Sequence, residues 1–182
     1  MSQRNAIDIA YDAVADRIQL VLRHDTGAAG LLLTRRFVKA FLARFSETLE
    51  TSLDSAHADR RAAVGFEHLE AVGEAAGAGD AGDGAADQGG GRRGDWPDPA
   101  AFTLAVQVNV QRRDAGFDIT IVDTADQERR FTLTRVEAHR ILSAVARKAE
   151  AAEWDLEPYM GWLDEAGSAR AHLGASAGRT AH

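Results

Sequence analysis

Leu31-Leu32-Leu33-Thr34-Arg35 and, one hundred residues further on, Phe131-Thr132-Leu133-Thr134-Arg135 decide the fold. At both places an alternating apolar pattern gives way to a helical one. After Arg35, the residues Val38, Phe41, Leu42, Phe45 and Leu49 lie on one stripe, which predicts a helix over 35–51. After Arg135, the residues Ala138, Ile141, Leu142, Val145 and Ala149 do the same, which predicts a helix over 136–153 ended by Pro158. Continued without gaps, the alignment sets Phe41 on Ile141, Leu42 on Leu142, Phe45 on Val145 and Glu50 on Glu150. The apolar stripe stays in phase throughout.

Upstream of each switch the period is two. Ile7, Ile9 and Tyr11 predict a strand over 5–11, Ile18, Leu20 and Leu22 one over 17–23, and Leu31–Leu33 a third. In the second half Phe102, Leu104, Val106, Val108 and Val110 alternate, then Phe117, Ile119 and Ile121, then Phe131 and Leu133. Turn residues separate them: His24-Asp25-Thr26-Gly27, Arg112-Arg113-Asp114-Ala115-Gly116 and Asp123-Thr124-Ala125-Asp126-Gln127. The unit is β-β-β-α, used twice. The predicted class is α+β, two repeats related by pseudo-two-fold symmetry, with antiparallel sheets packed on amphipathic helices. Such a unit leaves strand edges unpaired, so the two copies are expected to pack together and the chain to form a homodimer.

The Leu-Thr-Arg element has a physical role. A threonine at the start of a helix accepts a hydrogen bond from a first-turn N–H that has no helical partner. Thr134-Arg135-Val136-Glu137 has the spacing of a capping box, whereas the first copy carries Phe37 where the glutamate would be. Leu33 and Leu133 are placed to act as hydrophobic staples on Val38 and Ala138.

Domain organisation follows. Residues 1–72 hold the first repeat and an additional helix in 57–72, weakened by Gly65. Residues 73–100 are dominated by Gly, Ala and Asp and read as a flexible linker, closed by Trp96-Pro97-Asp98-Pro99. Residues 101–158 hold the second repeat, and 159–182 a mostly disordered tail.

Composition narrows the function. The chain has 182 residues, 45% hydrophobic and 27% charged, with 21 basic and 28 acidic side chains and a net charge of −7. The two repeat segments are close to neutral, +1 over 1–53 and zero over 101–153, while 73–100 carries −4. Lys39 and Lys148 are the only lysines, an arginine bias expected of a GC-rich bacterial genome. There are no cysteines, no apolar run of membrane length and no secretory leader at the N-terminus. A cytoplasmic location is expected.

Motifs for chemistry are missing. The histidines at 24, 57, 68, 139, 172 and 182 form no His-Glu-x-x-His pair, and His68 and His139 read as solvated helix residues. No glycine-rich phosphate loop joins a strand to a helix, and no Gly-x-Ser-x-Gly elbow exists. Asp114, Asp118, Asp123 and Asp126 fall in or beside hairpin turns, where aspartate belongs for turn reasons. The expectation is a non-enzyme with no catalytic residues, no cofactor and no metal.

What remains is binding. Arg35 and Arg36 with Lys39 and Arg44 predict one basic patch, and Arg129, Arg130, Arg135 and Arg140 its counterpart. Trp154, Tyr159, Met160 and Trp162 are the residue types that anchor protein contacts. The candidate partner-binding residues are thus Arg35, Arg36, Arg130, Arg135, Trp154, Tyr159 and Trp162. The expected function is a non-catalytic binding or adaptor module acting through protein–protein contacts or self-association. The alternative is single-stranded nucleic-acid binding, since repeated sheets each backed by a helix resemble, in layout alone, whirly-type and PUR-type binders. For that alternative the polar sheet face offers Gln19, Gln107, Asn109, Gln111, Thr120 and Thr132, with Tyr11 as its stacking residue.

Overall fold

The computed structural model describes residues 6–24, 27–53, 60–77 and 96–156. The strands are β1 (Ala6–Asp12), β2 (Arg17–His24), β3 (Gly27–Leu33), β4 (Thr103–Arg113), β5 (Gly116–Asp123) and β6 (Glu128–Thr134). The helices are α1 (Arg35–Thr51), α2 (Arg60–Gly77) and α3 (Arg135–Ala151), with a 3-10 turn at Pro99–Ala101. The architecture is α+β: one mixed sheet with strand order β1-β2-β3-β4-β5-β6, and three helices. Among the described residues no helix is long and apolar enough to cross a membrane.

Both switch points behave as the sequence demands. The Thr34 hydroxyl accepts from the Phe37 amide at 3.1 Å. At Thr134 the box is complete: the Glu137 amide donates to the threonine hydroxyl at 3.3 Å, and the Thr134 amide donates to the Glu137 carboxylate at 2.8 Å. The staple pairs Leu33 and Val38, and Leu133 and Ala138, are all buried.

Pairing in the two halves follows one scheme. Ile18 faces Leu33 and Leu20 faces Leu31 in the first half; Phe117 faces Leu133 and Ile119 faces Phe131 in the second. By register Ile18 therefore corresponds to Phe117, and Ile119 to Leu20. The hairpin between β4 and β5 is two residues shorter than that between β1 and β2, because Arg113 pairs with Gly116 where Asp12 pairs with Arg17.

The expected antiparallel sheets are corrected at the joint between the halves, which makes one mixed sheet. There β3 runs parallel to β4, a non-equivalent strand, through Leu31 with Thr103 and Leu32 with Leu104 alone. The halves are joined head to tail within a single sheet. Two such pairs hold only a few hydrogen bonds, each contributing about 1 kcal/mol net. The larger force is helix packing. Helix α1, which leaves β3, lies against β4, and its Phe45 meets Phe117 of β5 edge-on at 5.4 Å. Helix α3 touches β1 and β2 as well as β5 and β6. For one helix to reach both ends of the sheet, the sheet must curl around it. Phe45, Leu42, Leu49, Leu142, Ile18 and Ile119 are fully buried in the resulting core, and each such side chain stabilises the fold by about 2 kcal/mol.

Helix α2 packs on α3 and α1 rather than on the sheet, with Val64, His68 and Ala71 inward. It runs to Gly77, into the segment the sequence assigned to the linker. The far end of that segment is also structured. Trp96 stacks on Phe102 at 6.2 Å, and Phe102 lies on the outer face of β3, where a Cβ at Gly30 would come within 2.7 Å of its ring. Strand β3 begins at Gly27, four residues before its apolar run, because pairing with β2 extends Gly27–Gly30 despite their weak strand preference.

Loss of either cap should be measurable. Thr134→Ala should lower unfolding free energy by about 1–2 kcal/mol, and Thr34→Ala by about 1 kcal/mol, because only Thr134 holds a reciprocal bond. Urea unfolding curves check this, and equal losses would contradict the asymmetry.

Candidate functional site

The outer face of β4, β5 and β6 is the open surface of the sheet. Alternation places Gln107, Asn109, Gln111 and Arg113 of β4 on it, beside Val122, Thr120 and Asp118 of β5 and Glu128, Arg130 and Thr132 of β6. Pairing arranges these in rows, Gln107-Val122-Glu128, Asn109-Thr120-Arg130 and Gln111-Asp118-Thr132. Together they line a shallow depression of about 730 Å³. The matching face of the first half is covered by Phe102 over Gly30, with Val21 fully buried there.

Charges in the depression neutralise one another. Arg113 donates to Asp118 at 2.6 Å and Thr132 donates to it at 3.0 Å, and these bonds hold the Asp118 carboxyl below its ordinary pKa. Arg130 is bonded to Glu128. Gln107, Asn109, Gln111 and Thr120 lie between the two pairs and make no hydrogen bond to another described side chain. Their amides and hydroxyl face solvent, ready to donate and accept.

Asp123 closes one end of β5 and is fully buried. Burial alone would raise its pKa, but the Thr103 hydroxyl at 2.7 Å and the amides of Ala125 and Gln127 at 2.9 and 3.0 Å outweigh it, leaving the carboxyl below its ordinary value. This turn aspartate pins β4 to the β5–β6 turn. Among the described residues no group of three or more His, Asp or Glu is placed to hold a metal ion.

The expected basic patches do not assemble. Arg135 reaches into the helix layer, where it donates to Glu67 at 2.8 and 2.7 Å and to the Ser52 hydroxyl. Arg140 donates to the Ala71 carbonyl at 3.2 Å, Arg129 lies 3.8 Å from Asp123, and Arg44 pairs with Glu47 at 3.2 Å. Arg36 is exposed on α1, and Arg130 on the sheet face with its glutamate. Arg35 lies over the Trp154 ring at 5.6 Å.

Trp154 is corrected from partner contact to internal clamp. It is 3% exposed. Its indole N–H donates to Asp16 at 2.8 Å, and its ring meets Tyr11 edge-on at 6.1 Å. Tyr11 also donates to Asp16, at 3.0 Å, and these two bonds keep the Asp16 carboxyl below its ordinary pKa. Tyr11 thus belongs to the inner face and cannot serve as a stacking platform outside. Gln19, on the outer face of the first half, is bonded to Asp12 at 3.1 Å. Tyr159, Met160 and Trp162 lie outside the described residues.

His68 and His139 are likewise corrected. They are buried at the α2–α3 interface, 4% and 1% exposed, with ring centroids 5.5 Å apart. Burial pushes His68 down to about 4, helped by the charge of His139. Burial also lowers His139, against the pull of the Glu67 carboxylate 3.5 Å away and with a further push from Arg135. A signal was present in the sequence: His68 falls between Val64 and Ala71, and His139 three residues before Leu142, on the apolar stripes.

No family model, curated protein or solved structure matches the chain.

The histidine pair sets an acid limit. Folded His68 titrates near 4 and the unfolded residue near 6.5, so above neutral pH both states are uncharged and stability is fully present. As pH falls from about 6.5 toward 4 the unfolded chain takes up protons that the fold excludes, and stability drops. At about 1.4 kcal/mol per unit, His68 accounts for about 3 kcal/mol over that window. Urea midpoints should fall between pH 7 and 5, and His68→Leu should flatten the slope. A midpoint constant over that range contradicts this.

Proposed function

We propose that this protein is a non-catalytic binding module whose contact surface is the outer face of β4, β5 and β6. The observation that carries this reading is the solvent-facing set Gln107, Asn109, Gln111 and Thr120, held between two self-neutralised ion pairs. Amides and hydroxyls without internal partners suit hydrogen bonding to another protein's polar surface or backbone. Matching registers and in-phase helices support treating the two β-β-β-α units as repeats, of which the second keeps its sheet face open.

Single-stranded nucleic acid fits this face less well. Such binders need a basic groove and aromatic rings on which bases stack. Here the cations are paired with carboxylates, and Tyr11 and Trp154 face inward.

Two measurements test the reading. Titrating a labelled single-stranded oligonucleotide at about 50 mM salt, where phosphate contacts are strongest, should leave its anisotropy flat. Affinity capture from the source cells should recover a protein partner with wild-type chain and lose it with Thr120→Arg, which places a charge at the centre of the face without touching the core. Salt-sensitive oligonucleotide binding, or a partner retained by Thr120→Arg, overturns the proposal.

A further inference from the structure

Strand β4 has two edges, and one of them is open along most of its length. Strand β3 pairs with it only at Thr103 and Leu104, then turns into α1. From Val106 to Arg113 the side away from β5 has no strand beside it among the described residues. The direction of the backbone groups follows from the hairpin. Arg113 and Gly116 close a two-residue turn and so form a hydrogen-bonded pair, and bonded pairs alternate along an antiparallel ladder. Gln111 and Asn109 therefore bond to β5. Val108, Val110 and Arg112 aim their N–H and C=O groups at the open side. No backbone bond from a turn, loop or cap reaches these residues.

Protein sheets usually protect such edges with charges, prolines or short strands. The two outermost strands do so: β1 carries Asp8 and Asp12, and β6 carries Glu128, Arg129 and Arg130. The open stretch of β4, Val106-Gln107-Val108-Asn109-Val110-Gln111, carries no charge and no proline, and Val106 is 55% exposed. A bulge at Ala105/Gln107 lies only at its start.

The stretch is also nearly palindromic about Asn109. Run antiparallel against itself with Asn109 on the axis, it sets Gln107 opposite Gln111, Val108 opposite Val110, and Val106 opposite Arg112. No like charges meet. The register agrees with the backbone, since Val108 and Val110 both point outward and become a hydrogen-bonded pair. The glutamines and asparagines form an amide ladder on the outer face, and the half-buried valines meet on the inner one. A groove of about 440 Å³ between Gln107–Val110 and the α1 residues Arg44, Glu47, Thr48 and Thr51 gives the incoming strand space. Arg44 and Glu47, paired within one copy, present opposite charges to the same helix of the other.

We infer that a second copy of this chain adds to β4 through Val106–Arg112, antiparallel and centred on Asn109, so that the two sheets become one. The closed two-fold arrangement satisfies both open edges at once. This inference goes beyond the binding function proposed above, because it uses the strand edge rather than the sheet face.

Disulfide trapping tests it directly, because the chain contains no cysteine. In the proposed register Asn109 meets its counterpart in a non-hydrogen-bonded pair, with Cα atoms about 4.5 Å apart, within the span of a disulfide. Asn109→Cys should give a covalent dimer under mild oxidation, at least tenfold faster than Thr120→Cys, a half-exposed thiol on the same face of the sheet. Wild-type chain should have the mass of a dimer by light scattering at tens of micromolar. Val110→Pro removes an outward N–H and no internal bond, and should give a monomer with unchanged circular dichroism. A monomeric wild type, or equal trapping of Asn109→Cys and Thr120→Cys, overturns the inference, as does a monomer whose open edge takes up an extended peptide. A chain that stays monomeric yet loses its partner on Thr120→Arg leaves the sheet-face proposal standing, so the two failures are distinguishable.

Discussion

Exchange of helices holds this molecule together. Helix α1 leaves the first three strands and lies against β4, and α3 leaves the last three yet touches β1 and β2. Neither set of strands is covered mainly by its own helix. The direct joint, two residue pairs between β3 and β4, is too small to fix the halves in place. The curl of the sheet follows from the same constraint, since its two ends must both reach α3. The polar devices fit it as well: Trp154 fastens the end of α3 to the first hairpin, and Arg135 fastens its start to Glu67 and Ser52. Both bonds cross from one half of the chain to the other.

Much of the fold was legible because it is written in local rules. The change of period at Thr34 and Thr134, the capping box with Glu137, the staples and the five clearest strands each depend on residues a few positions apart. What was not legible depends on distance. Nothing near Leu31 says that its neighbour will be Thr103 and that the pairing will be parallel. Repeated units do not say how the halves will join, and here they join head to tail through one parallel pairing. Strand β3 shows the limit of composition: Gly27 to Gly30 are poor strand formers held extended by β2.

The candidate site was legible in part. Gln107, Asn109, Gln111, Thr120 and Thr132 are on the outer face as alternation requires. The arginines are not legible in the same way, because sequence gives their number and not their partners. Arg135 is drawn inward by Glu67, which lies 68 residues away on α2. The type of Trp154 points to a surface anchor, but the carboxylate that receives its N–H is on Asp16, 138 residues away. His68 and His139 lie on apolar stripes, and that periodicity, not a metal motif, is the sequence signal of their burial.

The bond between Trp154 and Asp16 spans 138 residues and joins the first hairpin to the last helix. During synthesis β1 and β2 emerge from the ribosome well before α3, which shelters them. The hairpin must wait, with Ile7 and Tyr11 wet, while the intervening chain is made. Native burial of β1 and β2 therefore waits until α3 has been made, and a nascent chain stalled before α3 leaves them exposed.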